Sequence, residues 1–171
     1  MERKQTHIPY GFIIGLILVV INAVMVVTKM NLDPSKQFIG FIGYAVFLGG
    51  LIMNANAYSK ANSQDVTFGQ AFGSCFKASA IVAILVTAWA LLSMFIFPNM
   101  VPDMLEMARQ KMEEQGKLSG EQIDMAMEYT RKSFKILLIA GAVFGTLIMG
   151  AIFSLIAAAI AKKNPRPAYP A

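Results

Sequence analysis

Four stretches of this 171-residue chain contain no Asp, Glu, Lys, Arg or His: Ile8 to Val27, Phe38 to Tyr58, Ala78 to Phe97 and Ile136 to Ala161. About 20 apolar residues in helical form cross a bilayer's hydrocarbon core. Lipid offers no partner to a free backbone N–H or C=O, so a segment that enters it must satisfy its own hydrogen bonds. Each stretch is therefore expected to be a transmembrane α-helix. Composition agrees, with 15% charged and 56% hydrophobic residues against roughly a quarter and a half in soluble domains.

The first run follows a basic opening, MERKQTHIPY, as the apolar core of a secretion signal would. It has the length of a span, however, and Thr28-Lys29-Met30 lacks the small-x-small pattern of a cleavage site. A retained span is expected. Asp33-Pro34-Ser35 breaks the chain in the first loop, and Pro98 ends the third span, since a proline disfavours helix in the residue before it.

Span three is expected to start before its apolar core. Thr67-Phe68-Gly69-Gln70 fits a capping box, in which Thr67 accepts from the backbone of Gln70 and the Gln70 side chain reaches back. Phe68, Phe72, Cys75, Phe76 and Ser79 then fall on one helical face, which reads as an interfacial aromatic belt.

The one sizeable polar region, 101–135, reads as two amphipathic helices. Pro102 suits a first helical position, with Asn99 or Val101 as the cap. Leu105, Ala108 and Met112 recur at helical spacing, and Gly116 is a natural stop. Ser119-Gly120-Glu121-Gln122 offers a second capping box, with Ser119 and Gln122 as the reciprocal pair. Ile123, Ala126, Met127, Thr130 and Phe134 mark the next stripe. The expected fold class is thus an all-α integral membrane protein of one domain. Its four spans carry an extramembrane two-helix hairpin between spans three and four, and a disordered basic tail covers 162–171.

Four spans place both termini and the link between spans two and three on one side. That side holds seven basic residues against two acidic ones, and the other side holds eight of each. Lys and Arg directly flank spans one and four on the terminal side, which favours cytoplasmic termini by the positive-inside rule.

Small residues are the informative feature inside the spans. Gly11 and Gly15 lie four apart in span one, Gly40 and Gly43 lie in span two, and Gly141, Gly145, Gly150 and Ser154 run down span four. Such spacing lets helix backbones approach closely and replaces the missing hydrophobic drive with packing. The expected roles are helix packing within the chain or a seam between copies. Asn22, deep in span one, is expected to be interhelical glue, while Asn54 and Asn56, near the end of span two, read as interfacial.

Chemistry is harder to find. The spans lack the ionisable relays of proton-coupled pumps. The methionines Met100, Met104, Met107 and Met112 could ligate Cu(I), but Met also fills small helical cores, which is the reading adopted. One His (His7) and one Cys (Cys75) leave little for a metal or nucleophilic site. The carboxylates of 101–135 alternate with Lys and Arg, as on a solvated face. No catalytic residue, cofactor, metal or nucleic-acid partner is expected, and the expected role is not enzymatic.

The order of features resembles a known family. A basic start, a span, a short loop and a glycine-rich span lead to the string Thr67-Phe68-Gly69-Gln70-Ala71-Phe72. Pro102-Asp103, a charged helical hairpin and a small-residue-rich last span follow. The layout is similar over most of the chain to bacterial four-span membrane proteins catalogued as domain of unknown function 4199, with the TFGQAF string as the specific part. The resemblance implies a bacterial inner membrane location and the same architecture, and brings no activity or catalytic residues. Expected contacts are the lipid bilayer and a second copy or a membrane protein partner. A small oligomeric channel or carrier for a neutral solute is the alternative function, with Asn22, Thr87, Ser93 or Thr146 lining its path.

Overall fold

The structure, a computed structural model, describes residues 3–36 and 38–164. They form five α-helices, α1 His7–Val27, α2 Ile39–Ala61, α3 Phe68–Ile96, α4 Met100–Gln115 and α5 Gly120–Ile160. Two short 3-10 turns, Met30–Leu32 and Pro34–Lys36, link α1 to α2. Among the described residues there is no strand. Helices α1, α2, α3 and α5 are long and apolar enough to cross a membrane.

Local chemistry sets the helix ends. Thr67 Oγ1 accepts from Gln70 N while Gln70 Oε1 accepts from Thr67 N, and Ser119 and Gln122 repeat the arrangement at the start of α5. Each such cap is worth about 1 kcal/mol. Gly116 closes α4 in the left-handed region, at φ 60°, where a Cβ would be strained. Helix α4 starts at Met100, so Pro102 is its third residue rather than its first. First-turn N–H groups have no intrahelical acceptor, so the missing proline donor costs nothing there. No breaker separates Phe134 from Ile136, and α5 runs on without interruption for 41 residues.

Helix α3 lies between α1 and α5, and α2 packs across α1, α3 and α5. The core is built from small residues: Ala55, Ala71, Ala78, Ala157, Ala158, Ser79 and Ser154 are buried, around Ile14, Phe47, Leu51 and Val82. Large apolar side chains point outward instead, with Phe95 84% and Phe41 71% exposed. A water-soluble core inverts that distribution. It is the arrangement expected when lipid is the solvent and close backbone approach replaces hydrophobic burial.

The aromatic stripe of α3 is buried only in part. Phe68 and Phe76 are exposed and Phe76 stacks on Phe72 at 5.8 Å, while Cys75 and Ser79 of the same stripe are buried. At the C-terminus, residues 162–164 are tied down rather than loose: Ser59 Oγ donates to Lys162 O, and Asn164 N donates to Gln64 O at 2.7 Å. The rest of the expected disordered tail, 165–171, lies outside the described residues.

Candidate functional site

Glycine is used in two opposite ways along the helices. A Cβ on Gly11 would stand 2.9 Å from Ile81 Cβ and 3.0 Å from the Ala78 carbonyl oxygen, and one on Gly15 would stand 2.5 Å from Leu85 Cδ1. These two glycines therefore set α1 against α3. Gly150 does the same for α5, where an added Cβ would meet Ser79 Cβ at 2.5 Å. Gly50 admits the Ile14 side chain of α1. Ser154, one turn from Gly150, is fully buried, and its hydroxyl has no hydrogen-bond partner among the described residues.

Gly40, Gly141 and Gly145 behave differently. A Cβ at any of the three would meet nothing within 4 Å, and one on Gly43 would touch only Leu18 Cδ2, at 3.7 Å. All four line a cavity of about 380 Å³ between α1, α2, α3 and α5. Within the chain, Gly40, Gly141 and Gly145 face open space rather than another helix, and Gly43 only touches Leu18. The physical reason is the aromatic cluster next to them. Phe153 meets Tyr44 at 6.2 Å and Phe47 at 5.6 Å, both edge-on. Those rings hold α2 and α5 apart at that level, and glycines beyond them cannot refill the gap.

The cavity has one polar wall. Trp89 Nε1 donates to Asn22 Oδ1 at 3.0 Å, joining α3 to α1, and Thr146 of α5 lines the opposite side. Buried Phe47 and half-buried Met149 form its floor towards the packed core. Of the other residues expected to line a solute path, Thr87 has a buried hydroxyl with no partner among the described residues, and Ser93 is buried and donates to Ala90 O at 2.9 Å. Asn22 and Thr146 therefore share the cavity, and Thr87 and Ser93 stand outside its lining.

A second polar cluster lies at the end that carries the termini. Asn54 is fully buried rather than interfacial. Its Oδ1 accepts from Thr6 Oγ1 at 2.7 Å, and its Nδ2 donates to Ser74 Oγ at 3.3 Å and Cys75 Sγ at 3.6 Å. Cys75 Sγ donates in turn to Leu51 O. The residue lies within one turn of the fully buried Leu51 and Ala55, on the face of α2 that meets α3. That helical phase is the signal that could have marked it. Around this cluster the N-terminal arm is clasped by Asn62, which bonds both Lys4 N and Lys4 O, and by Arg3, which donates to Asp65 O. Asn56 is exposed and accepts from Lys162 N at 3.4 Å. His7 and Lys77 converge beside this cluster on a pocket of about 320 Å³.

A third feature is the surface of α4. Arg109 pairs with Glu113 and with Asp124 of α5, each at 2.9 Å, and Asp103 pairs with Lys29 at 3.0 Å. No residue of α4 is fully buried, and Leu105, Ala108 and Met112 are half-buried. A groove of about 560 Å³ remains between α4 and α5, with Val101, Leu105 and Met127 on its walls. Among the described residues, no three His, Cys, Asp or Glu side chains gather as a metal site.

Helices with small, polar interiors and large apolar exteriors define the class: an all-helical protein whose four long apolar helices are suited to a bilayer. The chain belongs to the family described as protein of unknown function (DUF4199), whose model matches residues 9–163. No curated protein and no solved structure matches the chain.

Proposed function

We propose that this is a multi-pass protein of a bacterial inner membrane, with cytoplasmic termini, that acts without catalysis by binding a partner through α4 and the first turns of α5. One observation carries the reading: α4 has an apolar stripe that is at most half-buried along its length. Amphipathic helices are stable when that stripe packs against something. Here the stripe borders a groove, and ion pairs fasten the helix at its edges.

Length supports placing this element outside the bilayer. The 41 residues of α5 extend about 62 Å, roughly twice the hydrocarbon thickness, so α4 and the N-terminal half of α5 form a hairpin in water. At the opposite end, Arg3, Lys4, Lys162 and Lys163 directly flank α1 and α5, which favours cytoplasmic termini. The occupant of the groove is a membrane protein or a second copy of the chain. Replacing 101–132 by a short linker should leave insertion intact and abolish crosslinks to the partner in native membranes. Unchanged crosslinks after that replacement would refute the reading.

A carrier for a neutral solute is the second reading, favoured by the cavity with its Asn22 and Thr146 side chains. The closed floor places it second. Cysteines at Asn22, Thr87, Ser93 and Thr146 test it, and protection of all four from aqueous thiol reagents would exclude a wide pore.

A further inference from the structure

The cavity between the spans has a side opening whose chemistry differs from that of a water-filled path. Helices α2 and α5 touch through Tyr44, Phe47 and Phe153. Beyond that contact, towards the α4 end, the two facing walls are Gly40 and Gly43 on one side and Gly141 and Gly145 on the other. Gly141 and Gly145 are themselves exposed, and the residues flanking the slot, Phe41, Ile42, Phe144 and Ile148, are exposed large apolar side chains. In a bilayer such a surface faces hydrocarbon, so the slot opens on acyl chains rather than on water. A volume of about 380 Å³ lies in the range of small-molecule sites, which are typically apolar with a few placed polar groups.

The polar group here is Asn22. It is exposed and stands five residues from the end of α1 at Val27, about 7.5 Å along the axis, which in a bilayer spanned by α1 would lie near the polar boundary of a leaflet. Its Oδ1 is engaged by the Trp89 indole. Among the described residues no acceptor meets its Nδ2, so two N–H donors remain beside the cavity. We propose that the slot between α2 and α5 holds one acyl chain of a bilayer phospholipid, with Asn22 Nδ2 donating to the ester carbonyl at the head of that chain. The occupant explains why Gly40, Gly141 and Gly145 are spent where no helix approaches. Any larger side chain there would occupy the space of the chain. This inference is independent of the role of α4.

Trp89 is the one tryptophan of the sequence and lines the cavity, so its fluorescence reports on the site directly. The full chain is reconstituted in nanodiscs with increasing mole fractions of a phospholipid brominated along its acyl chains. A resident chain gives quenching that saturates well below equal mixing. Gly145→Leu, and independently Gly40→Leu from the facing wall, restore quenching proportional to the mole fraction. Native mass spectrometry of the unmodified chain released from mild detergent should retain one phospholipid per chain, and Gly145→Leu should at least halve that fraction. Quenching proportional to mole fraction in the unmodified chain, with no retained lipid, would overturn the proposal even if neither leucine variant folds. So would strong quenching of Trp89 by aqueous acrylamide without preferential quenching by the brominated lipid, which would mark a water-filled, solute-accessible cavity.

Discussion

The Trp89 indole N–H donates to the Asn22 side-chain carbonyl at 3.0 Å, a bond that joins α3 to α1 beside the cavity. Interhelical bonds of this kind are worth about 1 kcal/mol or less in membrane proteins. Asn22→Ala should therefore lower stability by about that amount, and it should move the Trp89 emission to shorter wavelength as the indole loses its acceptor. Steady-state fluorescence beside an unfolding titration in mixed micelles checks both. An unshifted spectrum would mean that the bond is absent in solution.

The glycines should sort into two groups under substitution by alanine. Gly11→Ala meets a backbone carbonyl and Gly150→Ala meets the Cβ of Ser79, atoms that cannot swing aside, so each should cost about 1–3 kcal/mol through overpacking. Gly141→Ala and Gly145→Ala enter open space and should be neutral, or up to about 1 kcal/mol stabilising through helix propensity. Unfolding midpoints in mild detergent with rising SDS fraction would show the division, and equal losses in all four variants would contradict it.

Asn54→Ala should release the N-terminal arm. It removes the acceptor of Thr6 and the donor to Ser74 in a fully buried site, a loss of about 1–3 kcal/mol when partners are left unsatisfied. Amide hydrogen exchange at residues 4–7 should quicken. Asn56→Ala, at an exposed position two residues on, should leave exchange unchanged. An equal response from both would locate the clasp elsewhere.

In the loop between α1 and α2, the Asp33 carboxylate accepts from the hydroxyl and the backbone N–H of Ser35, with Lys36 adding attraction, and these hold its pKa below the ordinary aspartate value. A pKa lower in the folded state stabilises the fold above the unfolded value, near 3.9, and that contribution is lost as pH falls through the folded pKa. Ser35→Ala should move the titration of Asp33 upward. Carboxyl chemical shifts measured against pH provide the check, and an unmoved midpoint would assign the depression to the Ser35 backbone N–H and Lys36.

How legible was this in the sequence? The four long helices were, because lipid permits little else for charge-free runs such as Ala78 to Phe97. Both capping boxes were too, since Thr67 with Gln70 and Ser119 with Gln122 act within a single turn. The helical phase shared with Leu51 and Ala55 could have marked Asn54 as inward-facing, but its bond to Thr6, 48 residues away in the chain, is encoded by no local pattern. The fate of the glycines was equally hidden. Gly11-x-x-x-Gly15 and Gly141-x-x-x-Gly145 have the same spacing, yet one closes on α3 and the other borders a void. The difference lies in the Tyr44, Phe47 and Phe153 rings that prop α2 away from α5.

The unbroken course of α5 has a mechanical consequence. It approaches α3 closely at Gly150, thirty residues from its start at Gly120, a distance of about 45 Å. With that contact as fulcrum, a swing of about 10° would carry the Gly120 end roughly 8 Å. The same swing would open or pinch the gap at Gly141 and Gly145, which lie on that arm. If α5 pivots as one rod about that contact, displacement at the α4 end and the width of the slot change together.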